Sequence, residues 1–181
     1  GYTDIPDPIS IGREMEELRQ QLLGDPYSRR VPSMQPERQR TALFFHAKDD
    51  PAEVRWQVFS LLRSHPEIRF HAVVRDKQGI LAFVRQNNLQ NPTYHYNTHE
   101  QYDYLVRQLL RHVLHQYDEY RLTFATRGTS DRTAALKQAL EMARTQFQQK
   151  SGITKLNTIQ VLRGTPQYAA GLQVTDYFLW A

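Results

Sequence analysis

The chain has 181 residues and a mass of 21.3 kDa, a length that favours one domain. Hydrophobic residues make up 40% of it and charged residues 23%, which excludes an intrinsically disordered protein. Because it contains no cysteine, a disulfide scaffold, a zinc–thiolate site and a cysteine nucleophile are also excluded. Mean hydropathy is -0.66 and no apolar run approaches the ~20 residues of a membrane helix, so we expect a cytoplasmic protein without membrane contact.

Positive charge is distributed unevenly along the chain. The net charge is +4, but residues 1–50 carry 7 Lys and Arg against 9 Asp and Glu, whereas residues 51–181 carry 16 against 10. Arginine accounts for 18 of the 23 cationic residues, and its planar guanidinium suits phosphate and carboxylate groups. A solvated basic surface and a polyanionic partner such as nucleic acid both remain open.

The first third of the chain predicts a helix, a loop, a strand and a second helix. Apolar residues at helical spacing indicate a helix over residues 10–23, and the proline-containing stretch 24–40 indicates a long loop. The short apolar run 41–47 favours a strand. Asp50-Pro51-Ala52-Glu53 is typical of a helix start, in which Asp50 caps the helix and Glu53 reaches back to it.

The rest of the chain alternates between strand and helix patterns. The predicted strands are residues 68–75, 120–127 and 157–162, and the predicted helices are residues 98–117, 131–149 and 167–181. Such alternation predicts an α/β fold in which helices flank a mixed sheet. No strand is predicted before the first helix and the chain does not begin with Met, so we expect one α/β domain of a longer protein that lacks its N-terminal strand or strands.

Three residues are candidates for a functional site. Asp176 lies in an apolar helical pattern, where a lone carboxylate is costly to bury unless a cation or a donor meets it; it could equally point at solvent or bond a backbone group. His46 ends a predicted strand next to a helix N-terminus, where anions bind, or simply closes off that strand. Arg127 ends another strand, where α/β sheets place ligand groups, or is a surface arginine in a turn.

Three segments together resemble the family catalogued as domain of unknown function 3800. They are FFHAKDDPAEVRWQVFSLL with the following RFHAVVRDK, then FATRGTSD, and finally GLQVTDYFLWA, which is similar to the closing Gly-Leu-Gln-x-x-Asp motif of the family. The resemblance covers about residues 41–181. The Asp-Glu-Ser-Gly motif of the family's first strand does not occur in this sequence, and Ala125 stands where the family often has Asp.

This resemblance implies a ribonuclease H-like fold and a metal-dependent site that cleaves phosphodiesters in nucleic acid. Asp176 would ligate Mg²⁺ or Mn²⁺, with Gln173 and Lys48 as orienting groups and His46 and Arg127 on the substrate side. The alternative is a catalytically degenerate member of the same fold that binds nucleic acid or a protein partner. A third hypothesis is that the apolar end, residues 177–180, contacts another domain or partner.

Overall fold

The computed structural model describes residues 1–30, 43–126, 131–153 and 157–181, which form an α/β protein. The α-helices in these ranges are α1 (Pro8–Gly24), α2 (Ala52–Arg63), α3 (Lys77–Gln90), α4 (Thr98–Leu110), α5 (Thr133–Ser151) and α6 (Ala170–Trp180). The strands are β1 (Tyr2–Asp4), β2 (Arg69–His71), β3 (Glu119–Ala125) and β4 (Thr158–Gly164). None of the helices in the described ranges is long and apolar enough to cross a membrane.

The chain divides into two compact units. Unit 1 comprises Gly1–His71, Leu122–Ser130 and Leu162–Ala181, and unit 2 comprises Ala72–Arg121 and Asp131–Val161. The strands form two separate pairs, an antiparallel pair of β1 with β2 and a parallel pair of β3 with β4. The division between the units falls within β3 and within β4, so each unit contains part of both strands.

The core of unit 1 is formed by α1, α2 and α6. Apolar residues spaced by four on the first two helices are buried, Ile11 with Met15 and Val54 with Val58, and Val174 of α6 joins the same cluster. The α1 helix begins where the Asp7 carboxylate accepts the backbone N–H groups of residues 9 and 10. Three helices with one apolar face each therefore share one core.

Unit 2 is built mainly on the packing of α4 against α5. Its buried apolar residues are Val106, Leu110, Leu114, Tyr120, Leu136, Ala139, Leu140, Ala143 and Val161. After α4 the chain continues through turns, and the Tyr120 hydroxyl accepts the N–H groups of residues 116 and 117 at 3.0 and 2.9 Å and donates to the carbonyl of Val113. These bonds fix the turns that follow α4 against the start of β3.

Several sequence predictions differ from the structure. Residues 43–47 of the predicted strand 41–47 form turns and irregular backbone. The backbone N–H groups of residues 45–47 donate to side chains of α6 and of Asp50, so they are not available to a neighbouring strand. A strand, β1, precedes the first helix. A helix, α3, none of whose residues is buried, spans a segment for which no helix was predicted. The helix predicted over 98–117 ends at Leu110, and two strand pairs replace the single mixed sheet.

One further prediction concerns a segment that is only partly described. Residues 31–42, which hold most of the predicted loop 24–40, lie outside the described residues, and a 3₁₀ helix spans Ser28–Arg30 just before them. The other helices predicted from periodicity are confirmed as α1, α2, α5 and α6, with ends shifted by up to three residues. The α/β class is therefore confirmed, while the ribonuclease H-like topology stays a prediction.

Candidate functional site

The predicted site residues Asp176, Gln173, His46 and Lys48 belong to two elements of unit 1. Asp176 and Gln173 lie on α6, whereas His46 and Lys48 lie on the turn formed by residues 45–50, which we call the 45–50 turn. The predicted substrate-side residue Arg127 lies outside the described residues. The structure therefore brings together four of the five predicted residues from parts of the chain about 130 positions apart.

Three consecutive backbone N–H groups of the 45–50 turn donate to side-chain oxygens. Phe45 donates to Gln173 Oε1, His46 to Asp50 Oδ2 and Ala47 to Asp176 Oδ2, each at 2.9 Å. The two bonds that end on the carboxylates of Asp50 and Asp176 are stronger than bonds between neutral groups. Because these donors are bonded to side chains, they are not available for a strand ladder.

The Gln173 side chain connects α6 to two other backbone segments. Its amide oxygen accepts the Phe45 N–H, and its amide nitrogen donates to the carbonyl of Pro166 at 2.7 Å. Gln173 is buried, so the amide satisfies two otherwise unpaired backbone groups in the core. This contact makes Gln173 a positioning residue for the 45–50 turn.

Asp50 is buried and does not cap α2, contrary to the sequence prediction. The N-cap position is taken by Pro51 without a side-chain bond, and Asp50 Oδ2 accepts the His46 N–H and the hydroxyl of Tyr177 instead. Burial and the neighbouring Asp50 carboxylate raise the pKa of the Tyr177 hydroxyl far above its usual range. The hydroxyl therefore stays protonated and donates to the carboxylate.

The Arg55 side chain supports the 45–50 turn from α2. One of its guanidinium nitrogens donates to the carbonyls of Ala47, at 3.2 Å, and of Asp50. The guanidinium also lies over the ring of Trp180, with 5.4 Å between its central carbon and the ring centroid. Arg55 of α2 thus bonds to the 45–50 turn and also contacts the end of α6.

The side chain of His46 lies between two carboxylates. Its Nδ1 atom is 3.6 Å from Asp49 Oδ2 and 3.8 Å from Asp176 Oδ2, just beyond hydrogen-bonding distance. Nδ1 is buried and forms no hydrogen bond with any described residue. The Asp176 side chain is 39% exposed and the Asp49 side chain 43% exposed, so both carboxylates reach solvent.

Lys48 lies on the exposed face of the same turn. It forms no ion pair with any residue in the described ranges, so its ammonium group is available to a ligand. The side chains of Asp49, Asp176, His46 and Lys48 together are what we call the α6 site. The sequence analysis named three of these residues, and the structure adds Asp49.

The residues of the α6 site do not by themselves form a metal centre. Across residues 1–30, 43–126, 131–153 and 157–181, no group of three or more His, Asp or Glu side chains is arranged to hold a metal ion. The two carboxylates offer oxygen ligands of the kind that Mg²⁺ prefers, but Asp176 Oδ2 already accepts a backbone N–H. The predicted Mg²⁺ or Mn²⁺ site is thus only partly matched by the residues that the structure describes.

Comparisons with known proteins provide no family for this chain. A scan against protein-family models, a search of curated proteins and a search of solved structures each found no match. The resemblance to domain of unknown function 3800 therefore stays a prediction based on the quoted motifs.

Proposed function

We propose that the α6 site is the active site of a phosphodiester-cleaving domain that acts on nucleic acid and has a ribonuclease H-like fold. The single observation that carries this proposal is the position of His46 Nδ1, which is buried, lacks a hydrogen bond among the described residues and lies within 4 Å of two half-exposed carboxylates. Unit 1 is therefore the unit that would act on the scissile bond.

The chemistry of hydrolysis explains why this group of side chains suits a phosphodiester. As the water oxygen bonds to phosphorus it loses a proton, and the phosphorus–oxygen bond to the leaving nucleotide breaks. The imidazole of His46 accepts the proton of the water and returns a proton to the leaving oxygen. Asp49 and Asp176 each carry a carboxylate within 4 Å of Nδ1 of that imidazole. Lys48 supplies a positive charge that compensates the charge of the phosphate oxygens.

Metal dependence is a separate part of the proposal. The family resemblance implies Mg²⁺ or Mn²⁺ on Asp176, and a bound divalent cation would supply charge stabilisation to the phosphate. Because the described residues match such a site only partly, the proton transfer and the charge compensation are attributed to side chains of this chain. Cleavage in Mg²⁺ and Mn²⁺ but not in EDTA would show that the cation is required.

The test is a cleavage assay with end-labelled single- and double-stranded DNA and RNA, in Mg²⁺, in Mn²⁺ and in EDTA. Asp176→Asn keeps an oxygen that can accept the Ala47 N–H and removes only the charge, so we expect the cleavage rate to fall by about 100-fold or more. Glu53→Gln removes one exposed charge from α2 in the same unit and is the matched control. Cleavage by Asp176→Asn at the wild-type rate would remove the proposal.

A second candidate function is binding of nucleic acid without cleavage. It is favoured by the structural use of the carboxylates, because Asp50 and Asp176 both accept backbone N–H groups of the 45–50 turn. In that case no substrate is cleaved in any metal, and the affinity for labelled oligonucleotides falls steeply as the salt concentration rises. Binding that is unaffected by salt would contradict a phosphate-led interface.

The hypothesis of a protein partner at the apolar end rests on Trp180, which is half exposed, and Trp180→Ala would weaken such a complex.

A further inference from the structure

Trp180 is a half-exposed tryptophan on the same helix as Asp176, four residues further along α6. Residues four apart lie one above the other on a helix face, and a helical side chain leans back toward the preceding turn. The indole of Trp180 therefore lies on the same side of α6 as the α6 site, one helical turn beyond Asp176.

A second set of contacts, through Arg55, places the indole beside the same turn. The Arg55 guanidinium lies over the Trp180 ring, with 5.4 Å between its central carbon and the ring centroid, and donates to the carbonyl of Ala47 at 3.2 Å. The N–H of Ala47 donates in turn to Asp176 Oδ2 at 2.9 Å. These four residues form a closed set of contacts, so the indole is held near the Asp176 carboxylate from two sides.

The indole keeps accessible surface although Arg55 covers part of it. Trp180 is half exposed, and no aromatic ring among the residues that the structure describes pairs with it. The guanidinium lies over one side of the ring, which leaves the other side to a second flat group. An aromatic ring that is held in position and open to solvent is a surface on which proteins stack nucleic-acid bases.

We propose that Trp180 is a stacking platform for one base of a single-stranded substrate whose phosphate lies at the α6 site. This inference rests on the proposed function, because it requires nucleic acid at the α6 site. Four residues of α-helix span about 6 Å, a separation on the scale of one nucleotide. A base on Trp180 and a neighbouring phosphate beside Asp176 therefore fit one strand.

The stacking contact also defines the class of substrate. In a duplex each base already stacks on its neighbours, and only an unpaired strand presents a free base to an aromatic side chain. The positive charge of Arg55 against the indole favours a polyanion over an apolar protein surface. Trp180 is thus a specificity-determining residue that selects single strands, while the chemistry remains with the α6 site.

Tryptophan fluorescence measures the stacking directly. The chain contains two tryptophans, Trp56 and Trp180, so Trp56→Phe leaves Trp180 as the only one. This variant is titrated in EDTA with a twelve-nucleotide thymidine oligomer and with an abasic oligomer of the same length, and a gel verifies that the oligomer stays intact. The thymidine oligomer should quench the emission by about half or more, whereas the abasic oligomer, which retains every phosphate, should leave it almost unchanged.

The anisotropy of labelled oligomers measures the affinities of the variants. Trp180→Ala should weaken single-strand binding about tenfold and duplex binding less than about twofold, because stacking contributes about one factor of ten per base. Trp180→Phe keeps a smaller ring and should weaken single-strand binding only about threefold. Trp56→Ala removes the other exposed tryptophan of unit 1, from α2, and should leave the affinity within about twofold.

Quenching by the thymidine oligomer alone, with the tenfold loss confined to Trp180→Ala, supports the proposal. Equal losses in Trp180→Ala and Trp56→Ala, or no loss in either, would overturn it and leave the indole to a protein partner. The absence of any binding to the wild type would also overturn it. If Trp180→Ala does not fold, the emission of Trp56→Phe decides, and emission unchanged at saturation overturns the proposal.

Failure of this inference is distinguishable from failure of the proposed cleavage. Stacking on Trp180 without cleavage in Mg²⁺ or Mn²⁺ would remove the activity and retain the platform. Cleavage of single strands by Trp180→Ala with an unchanged kcat/KM would remove the platform and retain the activity.

Discussion

The hydrogen bond between Tyr177 and Asp50 provides a test of how α6 holds the 45–50 turn. Both residues are buried in unit 1, with Tyr177 0% and Asp50 2% exposed. Tyr177→Phe removes one oxygen and retains the ring, whose edge contact with Phe59 has a centroid distance of 5.3 Å. A hydrogen bond to a charged group contributes about 1.5–3 kcal/mol, so we expect the free energy of unfolding to fall by about 2 kcal/mol.

Urea unfolding followed by circular dichroism measures this change. The midpoint should fall while the slope with denaturant stays constant, because the surface exposed on unfolding is almost unchanged. Tyr168→Phe removes the same atom from a residue that is 85% exposed and should change the free energy by less than about 0.5 kcal/mol. If the two variants were equally stable, the Tyr177 hydroxyl would not stabilise the buried carboxylate and the reasoning would be refuted.

Two further predictions concern pH and backbone conformation. His65 lies 2.8 Å from both Glu14 and Glu67, and these hydrogen bonds raise the pKa of His65 and lower the pKa of Glu14. The pKa of Glu67 is lowered first by a hydrogen bond to its own backbone and then by His65. The stabilisation of folding by His65 should thus be complete below the pKa of His65 in the unfolded chain and should disappear as pH rises through its pKa in the folded protein. The stabilisation by the two carboxylates should disappear as pH falls through the folded-state pKa values of Glu14 and Glu67. His65→Ala should accordingly lower the unfolding free energy more at pH 6 than at pH 9, and an equal loss at both would contradict this. At the end of α5, Gly152 has φ 70°, so Gly152→Ala should destabilise by about 1 kcal/mol. Gly24→Ala at the end of α1, where an added Cβ meets nothing within 4 Å, should be neutral or stabilising by up to about 1 kcal/mol; the reverse order in thermal unfolding would refute the argument.

The helices with strong apolar periodicity could be predicted from the sequence because their apolar faces also form the core. Met15 on α1 and Leu140 on α5 are examples, since each is buried at the position that its spacing indicates. Helix α3 was missed although Ile80, Phe83 and Val84 have helical spacing, and none of its residues is buried in the structure. Strand β1 spans only three residues, too few for an alternating pattern to be distinguished.

The apolar run before His46 shows why local pattern was insufficient at the site. Phe45 is buried as a strand residue would be, but its N–H donates to Gln173, which lies 128 positions away. The choice between strand and turn thus depends on α6, and no local signal contains that information. The apolar helical pattern did draw attention to Asp176, whose carboxylate accepts the Ala47 N–H, as one of the sequence alternatives expected. Gln173 was named from the family resemblance, and its site role stays a prediction.

The role of Asp50 was predicted incorrectly for a related reason. The sequence Asp50-Pro51-Ala52-Glu53 matches a helix start, and α2 does begin there, at Ala52. The carboxylate turns instead toward Tyr177, whose position was unknown from the sequence. Its preference for the buried hydroxyl indicates that tertiary contacts decided between two possible uses of the same side chain.

The most direct test of the proposed active site is to measure stability and cleavage on one preparation of Asp176→Asn. The asparagine retains an acceptor for the Ala47 N–H, so we expect an unfolding free energy within about 0.5 kcal/mol of the wild type and a cleavage rate lower by about 100-fold or more. A cleavage rate equal to that of the wild type would contradict the assignment of Asp176 to the chemistry. A loss of stability well beyond 0.5 kcal/mol would contradict the expectation that asparagine replaces the carboxylate as acceptor of the Ala47 N–H.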